Sequence, residues 1–203
     1  MKFICIGRNY VKHALELNNE IPGEPIFFLK PDTALLPKDR AFYIPGFSSD
    51  IHHEIEIVLR ISKEGKNISE KFATRYYDAL TVGIDFTARD IQQKQKEKGL
   101  PWEPAKAFDH SAPVGTIVSL NDIKDKNRIL FHLEINGKTV QKGDSTLMIN
   151  SFEKIISYVS KFITLRKGDL IFTGTPEGVS QVKAGDLLEC YLEDECLLRV
   201  SVK

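Results

Sequence analysis

The chain lacks any excess of one charge. Its 28 lysines and arginines match 28 aspartates and glutamates, so the formal net charge is zero. A neutral chain projects no long-range field that would gather nucleic acid or an anionic membrane. No basic stripe with interleaved aromatics appears either, so neither partner is expected. Long apolar runs are missing as well, and nothing approaches the length of a membrane span. The opening Met1-Lys2-Phe3-Ile4-Cys5-Ile6 is too short in its apolar part for a secretion signal and runs straight into Gly7. Cysteine is scarce. Cys5, Cys190 and Cys196 are an odd number in apolar stretches, which suits buried thiols in a reducing compartment, so the cytoplasm is expected. There is no Pro/Gly/Ser linker, repeat or low-complexity stretch. One domain over residues 1–203 is expected, long enough for a real core.

What is present is a succession of short strand signals. Lys2 to Ile6 reads as a strand ended by Gly7, and Ile26 to Leu29 as another ended by Pro31. Pro37, Pro45 and Gly46 break the next segment into turns. His53 to Ile61 is rich in Ile, Val and Leu and reads as one strand. Ala79 to Phe86 reads as the next, interrupted by Gly83. Arg128 to Ile135 and Lys138 to Gln141 flank Asn136-Gly137, a type I′ hairpin signal. Asp169 to Phe172, Asp186 to Leu192 and Cys196 to Val202 read as closing strands.

Helical patterns are fewer. Tyr10 to Asn18 carries Val11, Ala14, Leu15 and Leu17 at helical spacing. Thr87 to Lys98 reads as a polar helix closed by Gly99. Asn150 with Glu153 fits a capping box opening a helix through Phe162. Strands and helices do not alternate regularly, so a β-rich α+β fold, rolled or barrel-like, is expected rather than a doubly wound sheet.

Chemistry enters with the acids. On a strand, Glu54 and Glu56 would point to the same side with Ile55 opposite. Two carboxylates so close repel unless a cation lies between them. Asp85 sits in the apolar run Val82-Gly83-Ile84-Asp85-Phe86 and also wants a partner. Together they would make a hard, oxygen-only site suited to Mg²⁺ or Mn²⁺. The plain alternative places Glu54 and Glu56 on a solvated strand face, with Asp85 capping the following helix.

Several motifs then bear on that choice together. Ile51-His52-His53-Glu54-Ile55-Glu56 resembles the H-x-E-x-E signature of the fumarylacetoacetate hydrolase family. Gly7-Arg8-Asn9-Tyr10 with His13 and Glu16 resembles the N-terminal segment of its acylpyruvase branch. Phe28-Leu29-Lys30-Pro31, Asp85-Phe86-Thr87-Ala88-Arg89-Asp90 with Gln92, and Lys98-Gly99-Leu100-Pro101-Trp102 with Ala105-Lys106 resemble further family blocks in the same order. Thr173-Gly174-Thr175-Pro176-Glu177-Gly178-Val179 resembles the closing T-G-T-P-x-G-V loop.

The resemblance implies a mixed β-sandwich roll of the fumarylacetoacetate hydrolase C-terminal type, a homodimer, and Mg²⁺ or Mn²⁺ held by Glu54, Glu56 and Asp85. It implies a small 2-oxo acid as substrate, cleaved at a C–C bond by acylpyruvate hydrolysis or oxaloacetate decarboxylation through a pyruvate enolate on the metal. His13 would be a general base oriented by Glu16, since residues three apart share a helix face. Lys106 would offer a cation to the substrate carboxylate or the developing oxyanion. Gln92, Arg89 and Thr175 would contact substrate, and Arg8 and Tyr10 are added by position. A surface His–Glu pair, a solvated lysine, a solvated helix face and an ordinary turn are the plain alternatives for these residues. The run Lys94 to Lys98 reads as a solvated helix end or part of a flap. Two rival functions stand beside this one. The first is a 2-hydroxyhepta-2,4-diene-1,7-dioate isomerase or 5-carboxymethyl-2-oxo-hex-3-ene-1,7-dioate decarboxylase. The second is a non-catalytic small-molecule binding domain with the same fold.

Overall fold

β-branched residues, aromatics and leucine make up most of the strand positions. The computed structural model describes residues 1–17 and 20–203. In chain order the strands are β1 (Phe3–Gly7), β2 (Ile26–Lys30), β3 (Ile51–His53), β4 (Ile55–Ile61), β5 (Tyr77–Ile84), β6 (Thr87–Ala88) and β7 (Val118–Ser119). Then come β8 (Leu130–Ile135), β9 (Lys138–Asp144), β10 (Leu170–Phe172), β11 (Ser180–Gln181), β12 (Leu187–Leu192) and β13 (Glu195–Ser201). The helices are α1 (Val11–Glu16), α2 (Arg89–Lys98), α3 (Glu103–Lys106) and α4 (Phe152–Phe162).

The largest sheet has the order β2-β1-β10-β4-β5-β7. Its β1–β10 pair is parallel and its other neighbours are antiparallel, so the sheet is mixed. A second, antiparallel sheet runs β13-β12-β8-β9. Asn136 (φ 53°) and Gly137 (φ 77°) close its β8–β9 hairpin as the sequence predicts. Ile57, Leu59 and Val82 of the first sheet share one core with Phe131, Leu133, Leu188 and Val200 of the second. Helix α4 adds Ile155, Ile156 and Val159 to the same core. The architecture is the β-rich α+β fold expected.

Several local expectations are corrected. The strand expected over His53 to Ile61 is two strands, because the chain changes sheets at Glu54. His52 and His53 pair with β6 and β11, in a small three-stranded sheet, whereas Ile55 onward pairs with β5. The adjacent strand makes the same transfer: β5 ends at Ile84, and β6 begins at Thr87. Asp85 N–H donates to Glu54 O (2.8 Å) across the crossing. Gly83 does not interrupt β5. Its missing Cβ leaves room for the Phe172 ring and Val58, which an added methyl would approach at 2.8 and 2.9 Å.

Helix α1 is shorter than expected and spans Val11–Glu16, while Asn18 lies outside the described residues. It buries His13 and Ala14 and exposes Val11 and Leu15, the reverse of a simple apolar-face reading. Thr87 and Ala88, expected in the next helix, form β6; α2 itself ends at Gly99 with φ 63°. The N-cap of α4 is Ser151, whose Oγ accepts from Lys154 N–H, and not Asn150. Asn150 is occupied elsewhere: its backbone N–H and side-chain amide both donate to Asn9 Oδ1.

Candidate metal centre and active site

The double sheet crossing places Glu54 and Asp85 side by side, and Glu56 follows one pleat later on β4. One oxygen from each of Glu54, Glu56 and Asp85 lies within 4.8 Å of the others, and all three residues are buried. The solvated-face alternative for these acids is therefore not what the structure shows.

Cations surround them. Arg89 Nη2 donates to Glu54 Oε1 (2.5 Å), and Lys106 Nζ donates to Glu54 Oε2 (2.8 Å), Asp85 Oδ2 (2.7 Å) and Thr87 Oγ1 (2.6 Å). Lys30 Nζ lies 2.7 Å from Asp85 Oδ1, close enough for an ion pair but out of line for a good hydrogen bond. Its aligned bonds go to Ser111 O and Oγ, both at 2.9 Å. Glu56 has a weaker partner: its Oε2 accepts from Gly174 N–H (2.6 Å).

The acids respond differently to this field. Burial opposes ionisation of Glu54, but Lys106, Arg89 and His13 together hold its carboxyl well below the usual range. Burial, then the Asp85 and Glu54 charges, push the Glu56 carboxyl well up. Burial lowers the affinity of Lys106 for its proton, and Asp85 and Glu54 more than restore it, so its ammonium is held charged. A cluster of hard oxygen donors in which one acid resists ionisation for want of positive charge fits a small dication. Each carboxylate also keeps lone pairs beyond the bonds above. The residues therefore fit Mg²⁺ or Mn²⁺. At a pH above the ordinary carboxylate range and below the raised Glu56 value, loading the site should release a proton from Glu56. Calorimetry in buffers of different ionisation enthalpy reads that release, and a binding heat independent of buffer would contradict it.

The same acids form the floor of a cavity lined also by Arg8, His13, Arg89, Gln92, Lys106 and Thr175. Glu16 does not line it but accepts from His13 Nδ1 (3.3 Å) and from Gly178 N–H (3.0 Å). With Nδ1–H donating to Glu16, Nε2 keeps a lone pair. Burial and Arg89 lower the His13 pKa against the pull of Glu54 and Glu16, so the ring is neutral near pH 7. Every candidate site residue of the sequence except Tyr10 is thus brought to one place. Tyr10 belongs to the core instead, edge-on to Phe131 (6.5 Å). The cavity itself is small, about 30 Å³.

Residues not singled out from the sequence support this geometry. Gln141 Oε1 takes hydrogen bonds from His53 Nδ1–H (2.8 Å) and Ile55 N–H (3.1 Å), and its Nε2 donates to Thr175 Oγ1 and Pro176 O (both 3.0 Å). It ties the junction of β3 and β4 to the Thr175 loop. Burial drives the His53 pKa down to about 4, so this tie stays uncharged at neutral pH. Asn9 Nδ2 donates to Asn150 O (3.0 Å) and Thr173 O (2.8 Å), clamping the same loop to the N-terminal segment. Next to that clamp Arg8 is held at φ 57°, a left-handed conformation that costs a non-glycine residue about 1–2 kcal/mol. Lys96, read from the sequence as part of a solvated helix end, lines the cavity too. The signal was present: Arg89, Gln92 and Lys96 recur at helical spacing on one face of α2.

Gly174 concentrates several of these demands. Its φ is 101°, an added Cβ would lie 2.6 Å from Asn9 Cβ, and its N–H serves Glu56. Gly174→Ala should therefore destabilise the fold by about 3 kcal/mol. Thermal unfolding should show a Tm lower by roughly 6–12 °C for a chain of this size; an unchanged Tm would mean that the loop relaxes freely.

Comparison with known proteins agrees with this geometry. Residues 2–203 match the family model described as fumarylacetoacetate (FAA) hydrolase C-terminal. The chain is 41% identical over 200 residues to "Oxaloacetate tautomerase FAHD1, mitochondrial" of Mus musculus, covering 98% of this chain and 90% of the relative. It is 43% identical over 190 residues to "Oxaloacetate decarboxylase, mitochondrial" of Dictyostelium discoideum, covering 93% and 87%. Among solved structures, fumarylpyruvate hydrolase from Pseudomonas aeruginosa in complex with Mn²⁺ and pyruvate superposes with a TM-score of 0.94 at 36% identity, covering 100% of this chain and 89% of that one.

Proposed function

Because this chain belongs to the fumarylacetoacetate hydrolase family, we propose that it is a single-domain, Mg²⁺- or Mn²⁺-dependent enzyme cleaving a C–C bond in a small 2-oxo acid. The observation that carries the reading is the convergence of Glu54, Glu56 and Asp85 within 4.8 Å, beside the His13–Glu16 pair and Lys106. A bound Mg²⁺ or Mn²⁺ would supply Lewis acidity to a 2-keto oxygen.

The protein's own groups divide the remaining work. In an acylpyruvate, the bond to break joins the acyl carbonyl to the methylene of pyruvate. His13, oriented by Glu16, takes a proton from a water molecule, and the resulting hydroxide adds to the acyl carbonyl. Lys106 swings its ammonium off Glu54 and Asp85 to meet the tetrahedral oxyanion or the substrate carboxylate. The C–C electron pair then leaves into the 2-keto group as pyruvate enolate, which takes the proton held by the His13 imidazolium at C3, while the acyl part departs as a carboxylic acid. Thr175 and Gln92 hold the 2-oxo acid end, and Arg89 keeps Glu54 ionised. Oxaloacetate reaches the same enolate by losing CO₂, without attack by water, so one site serves both reactions.

A second reading is favoured by the mouse relative, an oxaloacetate tautomerase. Keto–enol exchange passes through a related enolate, that of oxaloacetate with its C4 carboxylate retained, and needs only a base to move the C3 proton, a role open to His13. Three free cysteines, with Cys5 and Cys190 buried, suit the cytoplasm of this reading, and no described helix is long and apolar enough to cross a membrane. The homodimer implied by the family belongs to the reading as well; light scattering should give twice the 23.0 kDa chain mass.

The deciding experiment is product analysis with acetylpyruvate, oxaloacetate and fumarylpyruvate, with and without divalent metal. Metal-dependent release of pyruvate is expected. Turnover that persists undiminished under a strong chelator would overturn the metal assignment. The absence of any turnover would favour a binding domain.

A further inference from the structure

A threonine hydroxyl is free to rotate and can donate in several directions. The one on Thr175 is fixed by its neighbours. Thr175 is buried and lines the cavity. Its Oγ1 lies 3.0 Å from Gln141 Nε2, its one hydrogen bond among the described residues. Which group donates there follows from two backbone groups that grip the Gln141 amide. Ile55 N–H can only donate, and it reaches Oε1 (3.1 Å); Pro176 O can only accept, and it lies 3.0 Å from Nε2. The amide is therefore held one way round, with its oxygen toward Ile55 and its nitrogen toward Pro176. One Nε2 hydrogen goes to Pro176 O and the other to Thr175 Oγ1.

The same logic runs outward. Gln141 Oε1 can only accept, so His53 carries a proton on Nδ1 (2.8 Å), and its Nε2 accepts from Ser180 Oγ–H (2.8 Å). The hydrogen bonds then point one way, from exposed Ser180 through His53 and Gln141 to Thr175. Each bond polarises the next. At the inner end Thr175 Oγ1 has accepted from Gln141, so its own hydrogen is left for an acceptor in the cavity. A polarised donor of this kind is matched best by an anion.

We propose that Gln141 is a positioning residue: it locks the Thr175 hydroxyl as a donor aimed into the cavity, where that hydroxyl grips the carboxylate of the 2-oxo acid. The proposal rests on the 2-oxo acid reading above for the identity of the anion; the direction of the hydrogen bonds is independent of that reading.

Two measurements test it. Long-range ¹H–¹⁵N correlation reads the His53 tautomer of the wild-type protein without any ligand, and should find the proton on Nδ1. Calorimetry with Mg²⁺ present compares pyruvate with pyruvamide, which differ in a carboxylate against a neutral amide. Thr175→Val should lower the preference for pyruvate about tenfold, and Thr175→Ser should keep most of it. Gln141→Glu keeps an oxygen for Ile55 and His53 but offers Thr175 an acceptor, which turns the hydroxyl away from the cavity. The charge it adds acts on any bound anion, so it is measured in both the wild-type and the Thr175→Val backgrounds. The preference should fall about tenfold further in the first than in the second. A His53 proton on Nε2 alone, a preference unchanged in Thr175→Val, or equal falls in both backgrounds would each overturn the proposal, and the first two are decisive even where Gln141→Glu fails to fold. If pyruvate does not bind the wild type while His53 carries its proton on Nδ1, the 2-oxo acid reading fails and the lock of Gln141 on Thr175 stands.

Discussion

Glu56→Gln should weaken Mg²⁺ or Mn²⁺ binding by about a hundredfold or more and depress hydrolysis and decarboxylation together. The side chain keeps its shape but loses one of the three charges that face the ion. Its amide also presents either an oxygen of lower charge or an N–H toward Gly174 N–H, which now donates to Glu56 Oε2. Stability in the absence of metal should move the other way. The folded-state pKa of Glu56 is raised, by burial first and then by Asp85 and Glu54. The stability of the metal-free protein is therefore unpenalised below the ordinary carboxylate range and declines as pH rises toward that raised value. Glu56→Gln removes this decline. Thermal unfolding against pH, with chelator present, should show a flatter profile for the variant above the ordinary carboxylate range. Metal affinity equal to wild type, or an identical pH profile, would sink the assignment of Glu56.

His13→Ala should separate the reactions that the site is proposed to share. Acylpyruvate hydrolysis needs a base to activate water, and losing a positioned base costs about 10²–10⁴-fold. Decarboxylation of oxaloacetate needs no such base and should fall much less, within about tenfold of wild type. Keto–enol exchange should behave like hydrolysis if His13 moves the C3 proton. The pH dependence follows from the same ring. Burial lowers the His13 pKa, so the active neutral form persists below the usual imidazole value of about 6.5. Hydrolysis at saturating metal should stay flat through neutrality and fall only at more acid pH, and His13→Ala should lose that limb. Equal loss of all activities would make His13 a structural or binding residue.

Much of this was legible in the sequence because it rests on local rules. Asn136-Gly137 can hardly be anything but a tight turn, and the alternation on either side fixes the hairpin. The three acids drew notice because carboxylates in apolar runs need partners. The parts that were hidden depend on distant residues. Nothing near Glu54 signals a change of sheet, because the apolar pattern continues from His53 into β4; partners far along the chain decide it, β6 and β11 on one side and β5 on the other. The cap of α4 fell to Ser151 because Asn9, some 140 residues earlier, claims Asn150. Helix α3, which carries Lys106, is one short turn containing Pro104, with no periodicity to read. Lys30, just past the expected strand Ile26 to Leu29, gave no local sign of burial, yet it is fully buried against Asp85.

The parallel pairing of β1 with β10 also bears on how the molecule is made. Phe3 lies beside Leu170 and Cys5 beside Phe172, in the middle of the largest sheet. During synthesis the first strand must therefore wait, with Ile4 and Ile6 uncovered, until nearly the whole polypeptide has left the ribosome. Such distant pairings carry a large loop-closure cost and place folding toward the slow, millisecond-to-second end of the range. The nascent chain has an unprotected interval during which a chaperone's grip on its first strand would matter most.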